Sequence, residues 1–200
     1  LKESLASARK QTHADLEVLV SDDGSEDGTQ TYVRDIERLD TRIHLFTSNP
    51  RRGLFENINY LVPNSTGDAF CILGDDDRWL PQFLEKLAQP LLRDSKVIAS
   101  FCDHWIINPK GQLLSKASEL NSENYGRSDL PGGELDDPLR VVLKGAMCMG
   151  FSLYRTAVFR KELFDLSCEG AADLDYAIRA ARLGRLHYVK ERLGEYRAHR

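Results

Sequence analysis

The stretch Leu16-Glu-Val-Leu-Val-Ser-Asp-Asp-Gly-Ser-Glu-Asp-Gly-Thr29 places an apolar run directly before an acidic turn that contains glycine. The apolar run from Leu16 to Val20 predicts a buried strand, and Asp27 to Leu39 has apolar residues at helical spacing. A second apolar run, Ala69 to Leu73, leads in the same way into Gly74-Asp-Asp-Asp77. This alternation of strands and helices predicts an α/β fold, Rossmann-like, with a mostly parallel sheet flanked by helices.

The second half of the chain has a less regular pattern. From Asn108 to Pro138 the composition shifts to Gly, Ser, Asn, Pro and charged residues. This composition predicts a long loop with little regular structure, an excursion between the regular elements on either side. An apolar strand is then expected from Met147 to Tyr154, and a helix from Ala172 to Leu183 that ends at Gly184. A length of 200 residues suits a single domain.

Charge and cysteine content narrow the class of protein. The 27 basic and 31 acidic side chains give a formal net charge of -4, and no Lys/Arg run forms a footprint for nucleic acid. No apolar stretch approaches the roughly 18 residues of a membrane span. We expect a cytoplasmic protein, because four widely spaced cysteines without zinc-like spacing favour buried free thiols: Cys71, Cys102, Cys148 and Cys168.

The chain begins within an amphipathic helix pattern, and no helix start signal stands before it. We therefore expect that the chain is part of a longer parent protein with residues ahead of Leu1. Such a parent would allow peripheral association with the cytoplasmic face of a membrane.

The two acidic turns contain the side chains of the sequence that are best suited to bind a ligand. Both follow predicted strands, and in open α/β sheets ligands bind in the crevice at the carboxyl ends of the strands. Three consecutive aspartates, Asp75 to Asp77, repel one another unless a counter-charge is present. Carboxylate oxygens without neighbouring His or Cys suit Mg²⁺ or Mn²⁺, ions that commonly share their coordination with substrate phosphates. The sequence therefore predicts a cation site that takes a diphosphate substrate.

Simpler interpretations of the same residues remain open. Asp22 and Asp23 also suit a polar turn, and Asp75 to Asp77 also suit the cap of a helix that starts near Pro81. The glycine motifs of dinucleotide oxidoreductases and P-loop enzymes are absent from the sequence, which excludes both classes. A phosphotransfer receiver domain would need one phosphoacceptor aspartate with a late lysine, and nothing in the sequence singles out such a pair.

At these residues the chain resembles glycosyltransferase family 2 of the GT-A fold. The motifs similar to that family's, in the same order along the chain, are Asp22 to Thr29, Ile72 to Pro81, Ala172 to Arg179 and Tyr196 to His199. The resemblance implies an inverting glycosyltransferase, dependent on Mn²⁺ or Mg²⁺, that takes a sugar from a nucleotide-diphosphate donor, with a UDP-sugar favoured. The acceptor would be a hydroxyl group of a saccharide or a lipid-linked molecule, in bacterial-type polysaccharide or glycoconjugate synthesis.

The resemblance also implies roles for individual residues. Asp173 would be the catalytic base, and Asp175 is the substitute if the register differs. Residues 1–105 would form the nucleotide-sugar-binding part and residues 106–200 the acceptor-binding and catalytic part, with the family's first strand missing ahead of Leu1. The implied metal ligands are Asp75, Asp77 and His199, and the implied donor contacts are Asp22, Asp23, Ser25, Arg52 and Asp76, the last also an alternative metal ligand.

Some residues keep more than one interpretation. Gly74 stands where many relatives have an aspartate, and Ala172 stands where a glutamate usually precedes the base. These departures leave open a catalytically inactive domain that binds a sugar nucleotide or a partner protein. Asp103 suits either a sugar contact or a turn, and His104 shows no clustering with other ligands, so a structural role is favoured for it.

Overall fold

The protein is described here by a computed structural model that covers residues 1–199. Its helices are α1 (Lys2–Arg9), α2 (Thr29–Glu37), α3 (Leu54–Leu61), α4 (Phe83–Arg93), α5 (Ser115–Asn124), α6 (Pro138–Leu143), α7 (Thr156–Phe159) and α8 (Ala172–Leu183). Its strands are β1 (Val18–Asp22), β2 (Ile43–Thr47), β3 (Ala69–Cys71), β4 (Arg78–Trp79), β5 (Val97–Ile107), β6 (Gly133–Glu134), β7 (Ser152–Arg155) and β8 (Arg185–Arg197).

The strands form two sheets. β1 and β2 make a parallel pair, in which Val18 lies beside Ile43 and Asp22 beside Thr47. The other strands follow the order β3-β7-β5-β8-β4, and β6 pairs with β8. β5 and β8 run parallel, whereas β7 runs antiparallel to both β3 and β5. β3, β5 and β8 therefore point the same way, and β7 and the two-residue strands β4 and β6 point the other way.

Helices pack against the larger sheet through two apolar clusters. One cluster joins Phe101 of β5 to Tyr176 of α8 and to Val142 of α6. A second cluster joins Leu153 of β7 to Phe83 of α4. β5 lies between them, and all but one of its residues are buried. This burial on both faces explains why its sequence is largely apolar rather than alternating, with Ser100, Asp103 and His104 as its buried polar residues.

A groove separates β1 from β3. Among the described residues, the only strand partner of β1 is β2 and that of β3 is β7. Glu17 spans the groove where both strands begin, since its Oε1 accepts hydrogen bonds from the backbone N–H groups of Thr66 and, at 3.0 Å, Gly67. The two strands therefore start side by side. The groove is part of a cavity of about 1550 Å³ whose walls also include Leu5 of α1 and Ile58 of α3.

The middle of the chain differs from its prediction. The excursion from residue 108 to residue 138 contains α5, a ten-residue helix. Its buried side chains are the small hydroxyls of Ser118 and Ser122, so it shows no apolar stripe that would reveal a helix in the sequence. The strand expected from Met147 begins instead at Ser152, because Met149–Phe151 forms a 3₁₀ turn.

The end of the chain follows its prediction more closely. α8 spans Ala172–Leu183 as expected, and it is followed directly by one continuous strand, β8. Over residues 1–199, no helix combines the length and the apolar character needed to cross a membrane.

Candidate active site

The two acidic turns line a single cavity. The turn after β1 and the turn after β3 both border the cavity that contains the groove, and so does the start of α8. Five carboxylates from these three segments are among its lining residues: Asp22, Asp23, Asp75, Asp77 and Asp173. Segments far apart in the sequence thus meet at the carboxyl edge of the strands, where α/β sheets bind ligands.

Asp22 holds the first turn in shape. Its side chain is buried, and Oδ1 accepts hydrogen bonds from the backbone N–H of Ser25 at 3.0 Å and from Nε2 of Gln30 at 2.8 Å. Burial alone would raise the pKa of Asp22, but the hydrogen bonds from Ser25 and Gln30 hold that pKa below its usual range. Asp22 is therefore an ionised carboxylate at the cavity wall.

Asp23 connects the first turn to the loop after β2. Its Oδ1 accepts from the backbone N–H of Arg52 at 2.7 Å and from Oγ of Ser48 at 2.8 Å, and its Oδ2 accepts from the backbone N–H of Gly53 at 2.9 Å. The N–H of Arg52 and the Ser48 hydroxyl lower the pKa of Asp23 to about 2. Both oxygens already have partners in the protein, so this side chain fixes the loop.

Arg52 lies apart from the acidic turns. Its guanidinium stacks over the ring of Tyr60, 3.9 Å from the ring centroid, and its Nη1 is buried without a hydrogen-bond partner among residues 1–199. The side chain borders a smaller hollow of about 360 Å³ together with Leu54 and Leu166. The structure therefore does not bring Arg52 into the cavity that Asp22 and Ser25 line.

Asp77 is the buried carboxylate of the second turn. Only 7% of the residue is exposed, and its Oδ1 accepts a hydrogen bond from the backbone N–H of Arg197 at 2.8 Å. Burial raises the pKa of Asp77 to about 6; the N–H of Arg197 opposes the shift, and the charges of Asp76 and Asp75 add to it. A cation beside Asp77 would relieve this repulsion.

Gly74 leaves open the space between two carboxylates. A Cβ atom at this position would lie 3.2 Å from Oδ1 of Asp76 and 3.2 Å from Oδ2 of Asp77. The other oxygen of Asp76, Oδ2, lies 2.5 Å from Nε2 of His199. Asp75 and His199 are both exposed, and of these two residues Asp75 is the one that borders the cavity. The structure thus groups Asp76, Asp77 and His199 around the second turn.

These residues fit an ion that takes part of its shell from substrate. Across residues 1–199, no three His, Cys, Asp or Glu side chains are close enough together to hold an ion by themselves. Mg²⁺ and Mn²⁺ suit such an arrangement, because Mg²⁺ in particular is commonly bound by one or two carboxylates together with substrate phosphates and water. The oxygens of Asp76 and Asp77 beside Gly74 meet that requirement.

Asp173 reaches the cavity from the first turn of α8. The residue is exposed, and its Oδ1 accepts a hydrogen bond from the backbone N–H of Leu174 at 2.8 Å. Asp175 is engaged elsewhere, since its Oδ2 binds Nε of Arg179 at 2.8 Å. Of the neighbouring residues on α8, Tyr176 is buried against the core whereas Leu174 is 39% exposed.

Arg197 is a supporting residue that sequence analysis did not assign. Besides its backbone bond to Asp77, its Nε donates to the carbonyl oxygen of Asp76 at 2.8 Å, and its Nη2 binds Glu3 of α1 at 2.5 Å. Arg197 thereby links the second turn to α1 and to the end of β8. The Tyr196 to His199 motif marked the segment, but nothing in it distinguished a side chain that positions a turn from one that contacts substrate.

Asp103 belongs to a buried ion network. Its Oδ1 accepts from Nε of Arg127 at 2.7 Å, and its Oδ2 accepts from Oγ of Ser122 at 2.8 Å and from Nε of Arg192 at 3.1 Å. Burial raises the pKa of Asp103, but Ser122 and Arg127 hold that pKa below its usual value. The fully engaged side chain ties α5 and the following loop to β5 and β8, a role that favours structure over sugar contact.

Comparisons with known proteins assign the chain to a family. The family model described as Glycosyl transferase family 2 matches residues 1–163. The chain is 27% identical over 166 residues to the GalNAc(5)-diNAcBac-PP-undecaprenol beta-1,3-glucosyltransferase of Campylobacter jejuni, an alignment that covers 82% of this chain and 48% of that protein.

Two solved structures share the fold. S. aureus TarS in complex with UDP-GlcNAc superposes with a TM-score of 0.77 at 18% identity, over 100% of this chain and 55% of that one. The mannosyltransferase PcManGT from Pyrobaculum calidifontis, in complex with GDP-Man and Mn²⁺, gives a TM-score of 0.70 at 20% identity, over 98% of this chain and 52% of that one. The predicted α/β GT-A fold is confirmed. The chain spans about half the length of these proteins.

Proposed function

The chain belongs to glycosyl transferase family 2, and we propose that it moves a sugar from a nucleoside diphosphate sugar to a hydroxyl group of an acceptor, with inversion at the anomeric carbon. The main support for this proposal is that two acidic turns and Asp173 line the same cavity. One turn follows β1 and the other follows β3, and we assign the nucleoside of the donor to the first turn and its diphosphate to the second.

The donor would bind between the two turns. Asp22 and Ser25 border the cavity at the end of β1, where an ionised carboxylate accepts hydrogen bonds from a nucleoside. Asp23 would act indirectly, because its oxygens hold the loop that follows β2. The solved structures of TarS with UDP-GlcNAc and of PcManGT with GDP-Man support a nucleotide-sugar donor, and we favour a UDP-sugar.

Asp76, Asp77 and His199 would hold Mn²⁺ or Mg²⁺. When bound, the ion would neutralise the charge that develops on the nucleoside diphosphate leaving group. The protein itself shapes the position that the ion would take. Arg197 orients Asp77 through its backbone N–H, and Gly74 keeps the space between the carboxylates free of a side chain.

Asp173 would act as the general base. Its carboxylate borders the cavity, whereas Asp175 is paired with Arg179. In the reaction, Asp173 takes the proton of the acceptor hydroxyl as the oxygen bonds to the anomeric carbon, and the bond from that carbon to the diphosphate breaks. Attack from the side opposite the leaving group inverts the configuration of the anomeric carbon.

The acceptor is proposed by analogy. The similar protein from Campylobacter jejuni is named for a glucosyl transfer to an undecaprenol-linked glycan. We therefore propose a saccharide or lipid-linked acceptor in bacterial-type glycan synthesis.

A donor panel tests the proposal. The protein is incubated with UDP-glucose, UDP-GlcNAc or GDP-mannose, with MnCl₂ or EDTA, and release of nucleoside diphosphate is measured with and without a saccharide acceptor. We expect one donor to stabilise the protein and to be turned over with MnCl₂ only. Binding of a donor without any turnover, with every acceptor tried, would favour a domain that only binds sugar nucleotides.

A further inference from the structure

The cavity has a second group of lining residues that the proposed donor, cation and base positions do not use. They come from β5, from α5 and the residue that follows it, and from β8: His104, Asn121, Tyr125 and Tyr196. Both tyrosines are 44% exposed, so each leaves part of its ring accessible beside the cavity that it lines. Tyr196 precedes Arg197, whose backbone N–H binds Asp77, so the group adjoins the second acidic turn.

His104 is a buried polar side chain without a full set of partners. The residue is 4% exposed, and its Nδ1 has no hydrogen-bond partner within the described part of the chain. Its ring stacks on Phe151, with 4.4 Å between the centroids, and lies 6.0 Å from the ring of Tyr196. A purely structural histidine would normally satisfy its buried nitrogen, because an unpaired polar group costs about 1 to 3 kcal/mol.

The imidazole is held in its neutral form. Burial, together with the charges of Arg127 and Arg192, lowers the pKa of His104 to about 3, although Asp103 and Asn121 oppose this shift. A neutral imidazole has one nitrogen that donates and one that accepts. This combination suits a hydroxyl group, which also donates and accepts, better than it suits an anion or a cation.

The neighbouring rings are held in place. Gly145 adopts φ +74°, and a Cβ atom there would lie 3.0 Å from the ring of Tyr125. Tyr125 therefore packs directly on a glycine backbone, with the Arg127 guanidinium 5.3 Å from its ring centroid. An exposed ring fixed in this way offers a flat apolar surface beside the polar atoms of His104 and Asn121.

We propose that His104, Asn121, Tyr125 and Tyr196 form a subsite for a pyranose ring, in which the His104 imidazole hydrogen-bonds a ring hydroxyl. The tyrosine rings contact the less polar face of the sugar. This subsite rests on the proposed function, which supplies two pyranose rings beside Asp77 and Asp173: the sugar of the donor and the sugar of the acceptor. The chemistry of recognition is the same for both, and kinetics distinguish them.

The test compares His104→Phe with the wild type. Phenylalanine keeps an aromatic ring on Phe151 and removes both nitrogens, at the cost of a ring that is one atom larger. We expect the KM of one sugar substrate to rise about 3- to 10-fold with kcat nearly unchanged, as for a lost neutral hydrogen bond that serves ground state and transition state alike. A rise in donor KM, with matching loss of donor affinity in calorimetry without acceptor, identifies the donor sugar. A rise in acceptor KM alone identifies the acceptor sugar.

His187→Phe is the matched control, because His187 lies on β8 outside the cavity lining. Tyr125→Leu is the second variant, since this exposed ring is removable without disturbing the core. The subsite is overturned if a folded His104→Phe leaves both KM values unchanged. If His104→Phe does not fold, unchanged KM values for Tyr125→Leu overturn it. A wild type that neither binds nor turns over a nucleotide sugar overturns the proposed function, and the subsite with it.

Discussion

The backbone N–H of Arg197 donates to Oδ1 of Asp77 at 2.8 Å, across a sequence separation of 120 residues. The end of β8 thus fixes the buried carboxylate of the second acidic turn. Because the donor is a backbone group, the bond depends on the register of β8 beside β5 and not on one exchangeable side chain. The geometry of the cation position is therefore tied to the folding of the whole sheet.

We predict that Asp77→Asn stabilises the protein at pH 7 in EDTA. The pKa of Asp77 is raised to about 6 in the folded state, so the wild type loses stability as pH rises from about 4 to about 6. Asparagine keeps an acceptor for the N–H of Arg197 without the charge. We expect a gain of about 1 to 3 kcal/mol at pH 7 and none below pH 4, measured by denaturant unfolding across pH.

The same variant has the opposite effect on ligand binding. With MnCl₂ and UDP, the wild type should gain thermal stability and Asp77→Asn should gain little. A variant that keeps the full ligand-induced shift would remove Asp77 from the proposed cation site.

Asp23→Ala should destabilise the protein, with a pH dependence of opposite sign. The pKa of Asp23 is lowered to about 2, so its contribution to stability is present above about pH 4 and is lost as pH falls toward 2. We expect a lower melting temperature for Asp23→Ala at pH 7 and convergence with the wild type near pH 2. Glu26→Ala is the control, because Glu26 is an exposed residue of the same turn. Equal melting temperatures for both variants would exclude the role of Asp23 in holding the loop.

Gly74→Ala should weaken cation-dependent donor binding without unfolding the protein. The added Cβ would press on Oδ1 of Asp76 and Oδ2 of Asp77, both at 3.2 Å, a space that we assign to the ion. We expect a loss of about 3- to 10-fold in affinity for UDP with MnCl₂, of the order of one weakened interaction, in calorimetry. Gly170→Ala is the control, since a Cβ there meets no atom within 4 Å. Unchanged affinity in Gly74→Ala would argue against an ion between these carboxylates.

The groove between β1 and β3 should accept one more parallel strand. Both flanking strands start beside Glu17 and lead into the acidic turns, and each leaves one edge without a strand partner among the described residues. We propose that a form extended upstream by about one strand of 5 to 6 residues melts at a higher temperature and binds donor more tightly. Equal melting temperatures and equal donor affinities for the two forms would contradict this.

The parts of the site that sequence analysis predicted are those with a local signal. An apolar run followed by Asp and Gly marks a strand end, and the ends of β1 and β3 both border one cavity, which brings Asp22 and Asp77 together. α8 also has a local signal, because its apolar spacing and Gly184 mark both of its ends.

Other parts depend on packing that no local pattern encodes. The position of Arg52 over Tyr60 depends on the path of a loop, and the partners of Asp23 lie 25 to 30 residues away. α5 buries serines, so it has no apolar stripe. Only the structure identifies His104 as a candidate for ligand binding, because it shows the side chain buried on Phe151 beside the cavity. In the sequence, its neighbours form an ordinary strand.

Turnover by Asp173→Asn and Asp175→Asn tests the central claim most directly. Both variants are measured for kcat, donor affinity with MnCl₂ and melting temperature. We predict that Asp173→Asn lowers kcat by about 10²- to 10⁴-fold, the range typical of a lost general base, with donor affinity within about twofold of the wild type. Asp175→Asn, which loses only the ion pair with Arg179, should keep most of its turnover. Near-normal turnover by a folded Asp173→Asn would contradict the account.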